Sequence, residues 1–212
     1  RHRDLQALLP PALHPTLPPL VSFTIWRCRE SPWGAFQLAQ TQISCRSGVR
    51  PRVYLVSAAI DGPEAAARAL ASRWGFTLWP ARIRILRRYD AVSVQVERAT
   101  PDGPDPTGVV LALTLSDPEP LAPGDVQLTA GMHPAQTRRG ARLVQVDTEV
   151  RISRAERSQP FLEAFDPAAW GEARLAPATP VSAAFLEAEV ILPRLRYVCR
   201  PDELAFTGTE VL

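Results

Sequence analysis

The amino-acid sequence predicts a mainly β protein of the α+β type: a closed antiparallel barrel, or a double layer of sheets, with one main helix across it. Three observations lead to this expectation. Roughly ten segments of strand length alternate apolar and polar residues or form short apolar runs. The 22 prolines and 11 glycines among 212 residues leave little room for long helices. A helical pattern is clear in one segment, which follows the sequence DGPE.

The first twenty residues predict a proline-rich arm that runs extended along the surface or against a partner subunit. The apolar stretches between its prolines are too short for a secretory signal or a membrane span, so we expect no membrane association. After the arm, a hydrophobic content of 46% is enough for a buried core. We therefore expect residues 21–212 to form a single domain.

The first half of this domain predicts strands, a helix and a hairpin. Asp61 and Glu64 suggest a capping box, followed by a helix over residues 65–74 that ends at Gly75. The corner FTLWP then leads through Pro80 into a strand and a hairpin turn. The predicted strands are residues 21–28, 36–45, 53–60, 81–88 and 91–98.

The second half alternates strands with polar connections. Residues 142–152 show the cleanest alternation of the chain and predict one continuous strand. The expected loops are residues 101–108, 116–125 and 131–140, and a short helix or irregular segment is expected in 158–176. The remaining predicted strands are residues 109–115, 126–130, 183–190 and 195–198.

Charge and cysteine usage exclude several classes of function. The formal net charge is only +2, and the 24 basic residues, all arginine, are scattered along the chain, so we expect no nucleic-acid partner. Cys28, Cys45 and Cys199 lie far apart without a CxxC pair, which disfavours a disulfide framework or a zinc site and favours the reducing cytoplasm. The glycine-rich nucleotide-binding motifs and the GxSxG motif do not occur either. We expect neither a metal nor a cofactor.

Histidine offers one candidate for acid–base chemistry. His133, in the sequence GMHP, is the only histidine in the body of the domain, and it lies in the long polar loop predicted at residues 131–140. An imidazole there could act as a general acid or base. The alternative is a solvated loop residue without a catalytic role.

Several segments together resemble the acetoacetate decarboxylase superfamily over residues 20–212. They are SPWGAFQ, the apolar strand before DGPEAAARA, the stretch RWGFTLWPARIRI with the valine hairpin after it, and RLVQV. In that family a GREIWGFPKKLANI-like stretch carries the helix end and the corner, and here LASRWGFTLWPARI takes its place. The residues that fit the pattern are Trp74, Gly75, Phe76, Ala81 and Ile83.

The departures from the family pattern bear on function. The resemblance implies that a lysine at the corner would form a Schiff base with a β-keto acid, with a second lysine lowering its pKa. These positions hold Leu78 and Trp79, and the two acidic positions of the family correspond to Ala35 and Ser72. Arginine cannot replace the amine because a guanidinium stays protonated. Schiff-base decarboxylation is therefore not expected.

Two hypotheses about function follow. In the first, an apolar pocket binds a small apolar substrate and promotes ring closure of a polyketide-like or polyene chain in natural-product metabolism. In the second, the former pocket is filled, and the chain is a non-catalytic binding or structural subunit whose aromatic residues are ordinary core. The resemblance also implies a homo-oligomer. The predicted pocket residues are Trp33, Ala35, Ser72, Phe76, Leu78 and Trp79.

Overall fold

The computed structural model describes residues 2–100, 103–137, 140–175, 179–193, 195–202 and 210–211. Strands dominate the described residues, and a mainly β protein is confirmed. The helices are α1 (His2–Gln6), α2 (Glu64–Trp74) and α3 (Pro167–Trp170). The strands are β1 (His14–Pro15), β2 (Val21–Cys28), β3 (Phe36–Ser47), β4 (Arg50–Asp61), β5 (Leu78–Arg87), β6 (Ala91–Thr100), β7 (Gly103–Leu121), β8 (Gly131–Thr137), β9 (Gly140–Val146), β10 (Glu149–Phe165), β11 (Ala183–Ile191), β12 (Arg196–Cys199) and β13 (Glu210–Val211).

The chain divides into two compact units. The first unit comprises Arg1–Trp79, Thr129–Thr148 and Leu192–Leu212, and the second comprises Pro80–Leu128 and Glu149–Ile191. In the first unit the strand order is β2-β3-β4-β8-β9-β12-β13, with β1 also paired to β3, and in the second it is β11-β10-β7-β6-β5. Within each unit the described pairings run from one edge strand to another without closing. The predicted closure of a barrel is therefore not confirmed, and a single domain stays a prediction.

Strands β2, β3 and β4 of the first unit form an antiparallel sheet with two different faces. Leu38 and Ile60 are cross-strand partners, and their side chains pack under α2. Thr41 and Ser57, also partners, lie on the opposite face because side chains alternate along a strand. The face under α2 carries an apolar cluster, which we call the α2 cluster. Its buried residues are Phe36, Leu38, Ile60, Ala66, Leu70, Trp74 and Val146.

Helix α2 confirms the predicted helix but not its predicted cap. Pro63 is the N-cap residue and makes no side-chain cap hydrogen bond, while Asp61 still belongs to β4. The capping box was wrong because the strand continues to Asp61, and Glu64 instead pairs with Arg68 at 3.2 Å. At the other end, α2 terminates at Gly75 as predicted, and Gly75 adopts the left-handed conformation with φ 68°.

The N-terminal arm differs from the predicted extended chain. Residues 2–6 form α1, and β1 pairs with β3. Ala12 and Leu13 are 1% and 4% exposed and pack in a second apolar cluster with Cys45 and Met132. Burial of these apolar side chains fixes the arm on the first unit. Its association with a partner subunit stays a prediction.

Strand β8 occupies a segment that was predicted as a polar loop. Residues 131–137 pair in parallel with β4 and antiparallel with β9, and Met132 and His133 are 0% and 3% exposed. Residues 126–130, predicted as a strand, contain none. The prediction failed because a strand with neighbours on both sides satisfies its backbone hydrogen bonds regardless of side-chain polarity.

The second unit contains the predicted hairpin of β5 and β6, with Ile83 opposite Val96. Strand β7 includes described residues of both predicted loops, at 103–108 and 116–121, because β6 and β10 pair along it. The predicted strand at 142–152 is two strands, β9 and β10, which separate at residues 147–148. Strand β10 continues to Phe165, so the helix expected in that region is limited to the four residues of α3.

Candidate functional site

The predicted site lies at the start of β5, where Leu78 and Trp79 follow the corner after α2. Successive strand residues point to opposite faces. Leu78 packs against the α2 cluster. Trp79 donates its indole Nε1–H to Ser57 Oγ at 2.9 Å, on the face opposite α2. The two positions that the sequence resemblance aligns with the family lysines thus have different surroundings.

Trp74 anchors the side of the corner that faces α2. Its indole Nε1–H donates to the Pro193 carbonyl at 2.7 Å, and the residue is 8% exposed. The Trp33 ring meets it edge-on at a centroid distance of 5.7 Å, and the Arg73 guanidinium lies 5.6 Å from the Trp33 centroid. These geometries are typical of packed aromatic groups, so core packing accounts for Trp33 and Trp74.

His133 of β8 holds the end of α2. Its Nε2–H donates to the Trp74 carbonyl at 2.7 Å, and its ring stacks on Phe76 at 4.6 Å with an interplanar angle of 16°. Burial lowers the pKa of His133 below 6.5, although the hydrogen bond to Trp74 acts in the opposite direction. The ring is neutral at pH 7 and buried, whereas the sequence predicted an exposed loop. This environment suits a structural clamp better than an acid–base group.

Gly75 allows β8 to approach the corner closely. A Cβ atom at this position would lie 2.4 Å from Ala135 Cβ, and φ is 68°. Both facts require glycine, since other residues disfavour this backbone conformation and would clash with β8. The corner is consequently fixed from two sides, by α2 and by β8.

The face of the sheet opposite α2 carries two hydroxyl groups beside small residues. Thr41 is 0% exposed, and its Oγ1 has no hydrogen-bond partner among the described residues. Its cross-strand partner Ser57 accepts the Trp79 indole proton, and Ala39 and Ala59, both 0% exposed, are the next pair on this face. We call these five residues the hydroxyl face. A buried hydroxyl without a partner costs about 1–3 kcal/mol, so the group calls for an explanation.

The six predicted pocket residues do not share one environment. Trp33, Phe76 and Leu78 are half-buried around the α2 cluster, and Ala35 and Ser72 are exposed. Trp79 belongs to the hydroxyl face, and substrate binding by any of the six stays a prediction. Sequence reasoning missed Thr41 and Ser57. A faint signal existed: Thr41 occupies a buried position within AQTQIS, where polar and apolar residues alternate irregularly.

The described residues give little support for metal-dependent or thiol chemistry. They contain no group of three or more His, Cys, Asp or Glu side chains that could hold a metal ion. Burial raises the pKa of Cys45 to about 12, against the opposing charge of Arg52, so its thiol is not a ready nucleophile. The longest described helix, α2, has 11 residues, and none in the described part of the chain could span a bilayer.

Comparison with known proteins identifies the fold. No protein-family model matches the sequence, and no curated protein sequence is similar to it. The acetoacetate decarboxylase of Legionella pneumophila is similar in structure, with a TM-score of 0.78 and 18% identity over 94% of this chain and 81% of that one. The enduracididine biosynthesis enzyme MppR, complexed with pyruvate, matches with a TM-score of 0.71 and 16% identity over 93% and 84%. An acetoacetate decarboxylase-like enzyme from Sphingomonas wittichii gives 0.73 and 14% over 94% and 87%.

These similarities confirm the resemblance at the level of the fold. The chain has the acetoacetate decarboxylase-like fold, which the corner sequence and the order of elements predicted. At identities below one fifth, the shared architecture does not transfer the decarboxylase reaction, and this sequence contains no lysine.

Proposed function

We propose that this protein is a cofactor-independent enzyme that binds a small, largely apolar metabolite at the hydroxyl face and promotes its ring closure. One observation carries the proposal: Trp79 replaces the expected lysine and lies against Ser57, beside a buried Thr41 hydroxyl that has no partner. The site is therefore neutral and offers hydrogen bonds rather than an amine.

The chemistry of these groups favours a neutral carbonyl in the substrate. Thr41 Oγ1 can donate one hydrogen bond, and a ketone or ester oxygen is the complementary acceptor. A carboxylate would meet no cation among the five residues of the hydroxyl face, and its burial without a counter-charge is costly. A substrate with an apolar body and a carbonyl group fits both the indole and the hydroxyl.

Ring closure needs no nucleophile from the protein. An apolar site that holds a flexible chain with its two reacting carbons close together lowers the barrier, because the internal rotations that ring closure must freeze are already restricted on binding. Trp79 would provide the surface on which the chain folds, and Thr41 would polarise the carbonyl that accepts the new bond. The attacking carbon reacts as its enol, and the enol proton ends on the oxygen of the new alcohol, so the step balances without a base from the protein. A polyketide-like or polyene substrate of natural-product metabolism has this flexibility. MppR, an enduracididine biosynthesis enzyme, shows that this fold occurs in a biosynthetic pathway.

The alternative is a non-catalytic binding or structural subunit. The hydrogen bond between Trp79 and Ser57 favours it, because an indole fixed in this way could simply fill the former pocket. The two functions predict different outcomes for Trp79→Ala. Loss of a pocket wall abolishes turnover with little unfolding, whereas loss of a core residue lowers stability by about 3–5 kcal/mol.

The test is an assay of the purified protein with linear polyketide-like esters and polyenes, followed by mass spectrometry. Ring closure gives a product of unchanged mass, or of the mass less one water when an aldol condensation occurs. We expect Trp79→Ala to lose at least tenfold of the turnover while its melting temperature falls by a few degrees. The proposal is contradicted if Trp79→Ala forms the product at the same rate as the unaltered protein. It is also contradicted if the unaltered protein converts none of the compounds tested.

A further inference from the structure

The second unit contains a charged cluster at one end of an otherwise apolar sheet face. Arg87 is the last residue of β5, and Ile83 and Ile85 precede it on the same face. Its side chain reaches Glu156 of β10, which is 7% exposed. A buried carboxylate of this kind needs specific partners, and the partners here are arginines.

Glu156 is held by two guanidinium groups. Arg87 Nη2 donates to Glu156 Oε1 at 3.0 Å and to Oε2 at 2.8 Å, and Arg154 Nε donates to Oε1 at 3.0 Å. Burial raises the pKa of Glu156, but the hydrogen bonds and charges of Arg154 and Arg87 outweigh it and hold the pKa below 4.5. Two cations and one anion leave the cluster with an excess of one positive charge.

The Arg87 guanidinium is oriented but incompletely hydrogen-bonded. Its central carbon lies 4.1 Å from the centroid of Phe185, which is the cross-strand partner of Glu156. This stacking and the bonds to Glu156 fix the plane of the group. Its Nη1 is nevertheless buried without a hydrogen-bond partner among the described residues. A fixed donor with unused capacity beside an excess positive charge suits an anionic acceptor.

A shallow surface depression, open to solvent and without enclosed room for a water molecule, lies at this cluster. Arg88 lines it, is exposed, and makes no ion pair with the described residues. The hydroxyl-bearing residues Tyr89, 99% exposed, and Ser158, 6% exposed, also line the depression. With Arg88 included, the surroundings hold three arginines against one glutamate.

We propose that this depression is a binding site for a small oxyanion, the carboxylate or phosphate group of a metabolite. The oxyanion binds at the surface through Arg88, and movement of the exposed Arg88 and Tyr89 side chains gives it access to the Arg87 guanidinium, which Glu156 holds in place. The planar fork of arginine matches such oxyanions. This site lies within the second unit and does not depend on the function proposed for the hydroxyl face.

The test uses inorganic phosphate and acetate as probes, titrated by calorimetry at constant ionic strength maintained with chloride. We expect saturable binding of at least one probe, and the tighter one identifies the oxyanion class. Arg88→Gln, which changes an exposed side chain, should weaken binding at least threefold, and Arg87→Met at least tenfold. The matched control is Arg82→Gln, because Arg82 is exposed on the opposite face of β5. It should leave binding unchanged.

Glu156→Gln separates an anion site from a structural ion pair. Removal of the competing carboxylate should tighten binding of the probe several-fold, and phosphate should raise the melting temperature of this variant more than that of the unaltered protein. The proposal is overturned by the absence of saturable binding of both probes. It is equally overturned if Arg88→Gln and Arg82→Gln bind alike, or if a folded Glu156→Gln binds more weakly.

Discussion

Leu78 and Trp79 lie on opposite faces of the sheet, and these two faces differ in how completely their buried polar groups are hydrogen-bonded. On the side of α2, Trp74 and His133 both make hydrogen bonds, and the rings of Trp33 and Phe76 are packed. On the other side, Thr41 is buried with a hydroxyl that has no described partner. Packing explains the aromatic residues of the first side. The second side retains an unexplained polar group, and function is better sought there.

The largest contrast is expected between two tryptophan variants. Trp74→Ala removes a buried ring and its bond to Pro193, and should lower the free energy of unfolding by about 3–5 kcal/mol. Trp79→Ala, at a half-buried ring, should cost less than half of that. Urea denaturation of both variants measures the difference. Equal losses would remove the distinction between the two sides and favour a filled pocket.

A side chain at Gly75 should disrupt the close packing of β8 against the corner. Gly75→Ala should cost about 2–4 kcal/mol, because a left-handed backbone and a clash with Ala135 combine. Gly48→Ala is the matched control, since φ is 58° there and nothing lies within 4 Å of the added Cβ. Its cost should be limited to the backbone term of about 1–2 kcal/mol. Thermal unfolding that showed the same loss in both variants would contradict the close packing at Gly75.

His133 should make the stability of the α2 side depend on pH. Its pKa in the folded protein is below the ordinary 6.5, so the unfolded chain binds a proton first as the pH falls. Stability is complete above pH 6.5 and should decline below it by up to about 1.4 kcal/mol per pH unit, until the folded pKa is reached. His133→Gln should remove this slope. An unchanged slope in the variant, measured by denaturation between pH 7 and 5, would assign the dependence to other groups.

The smallest effect on stability is expected at Thr41. Thr41→Val keeps the shape but removes a buried hydroxyl without a described partner, so stability should stay equal or rise by up to about 1 kcal/mol. Thr41→Ser, which retains the hydroxyl, is the control for ligand binding. A loss of more than 1 kcal/mol in Thr41→Val would show that the hydroxyl already serves the folded structure.

The sequence predicted much of the fold because periodicity and turn residues report local conformation. Helix α2, its end at Gly75 and the β5–β6 hairpin were all correct. It failed where long-range pairing decides the structure, as in β8, whose polar sequence becomes a strand only because β4 and β9 lie on either side. The division of residues 142–152 failed for a related reason. Alternation of side chains continues across a break in a strand and does not reveal it.

The candidate site was predicted only in part. The corner and Trp79 came from the family resemblance, and both are located where β5 begins. Leu78 and Trp79 point to opposite faces because β5 begins at Leu78, whereas the sequence predicted a strand only from residue 81. Ser57 was missed because it meets Trp79 only in the folded chain, 22 residues away in sequence, and Thr41 because only strand pairing places it opposite Ser57.

The central claim is that the hydroxyl face binds a neutral carbonyl compound without a covalent bond. The most direct measurement follows the indole N–H signals of the five tryptophans by NMR during titration with cyclohexanone, and with methylenecyclohexane as the control of equal shape that lacks the carbonyl oxygen. The Trp79 signal, assigned with Trp79→Phe, should shift reversibly with cyclohexanone and much less with the control, and the shift should be reduced in Thr41→Val. A Trp79 signal that is insensitive to both compounds, while the protein remains folded, would contradict the claim.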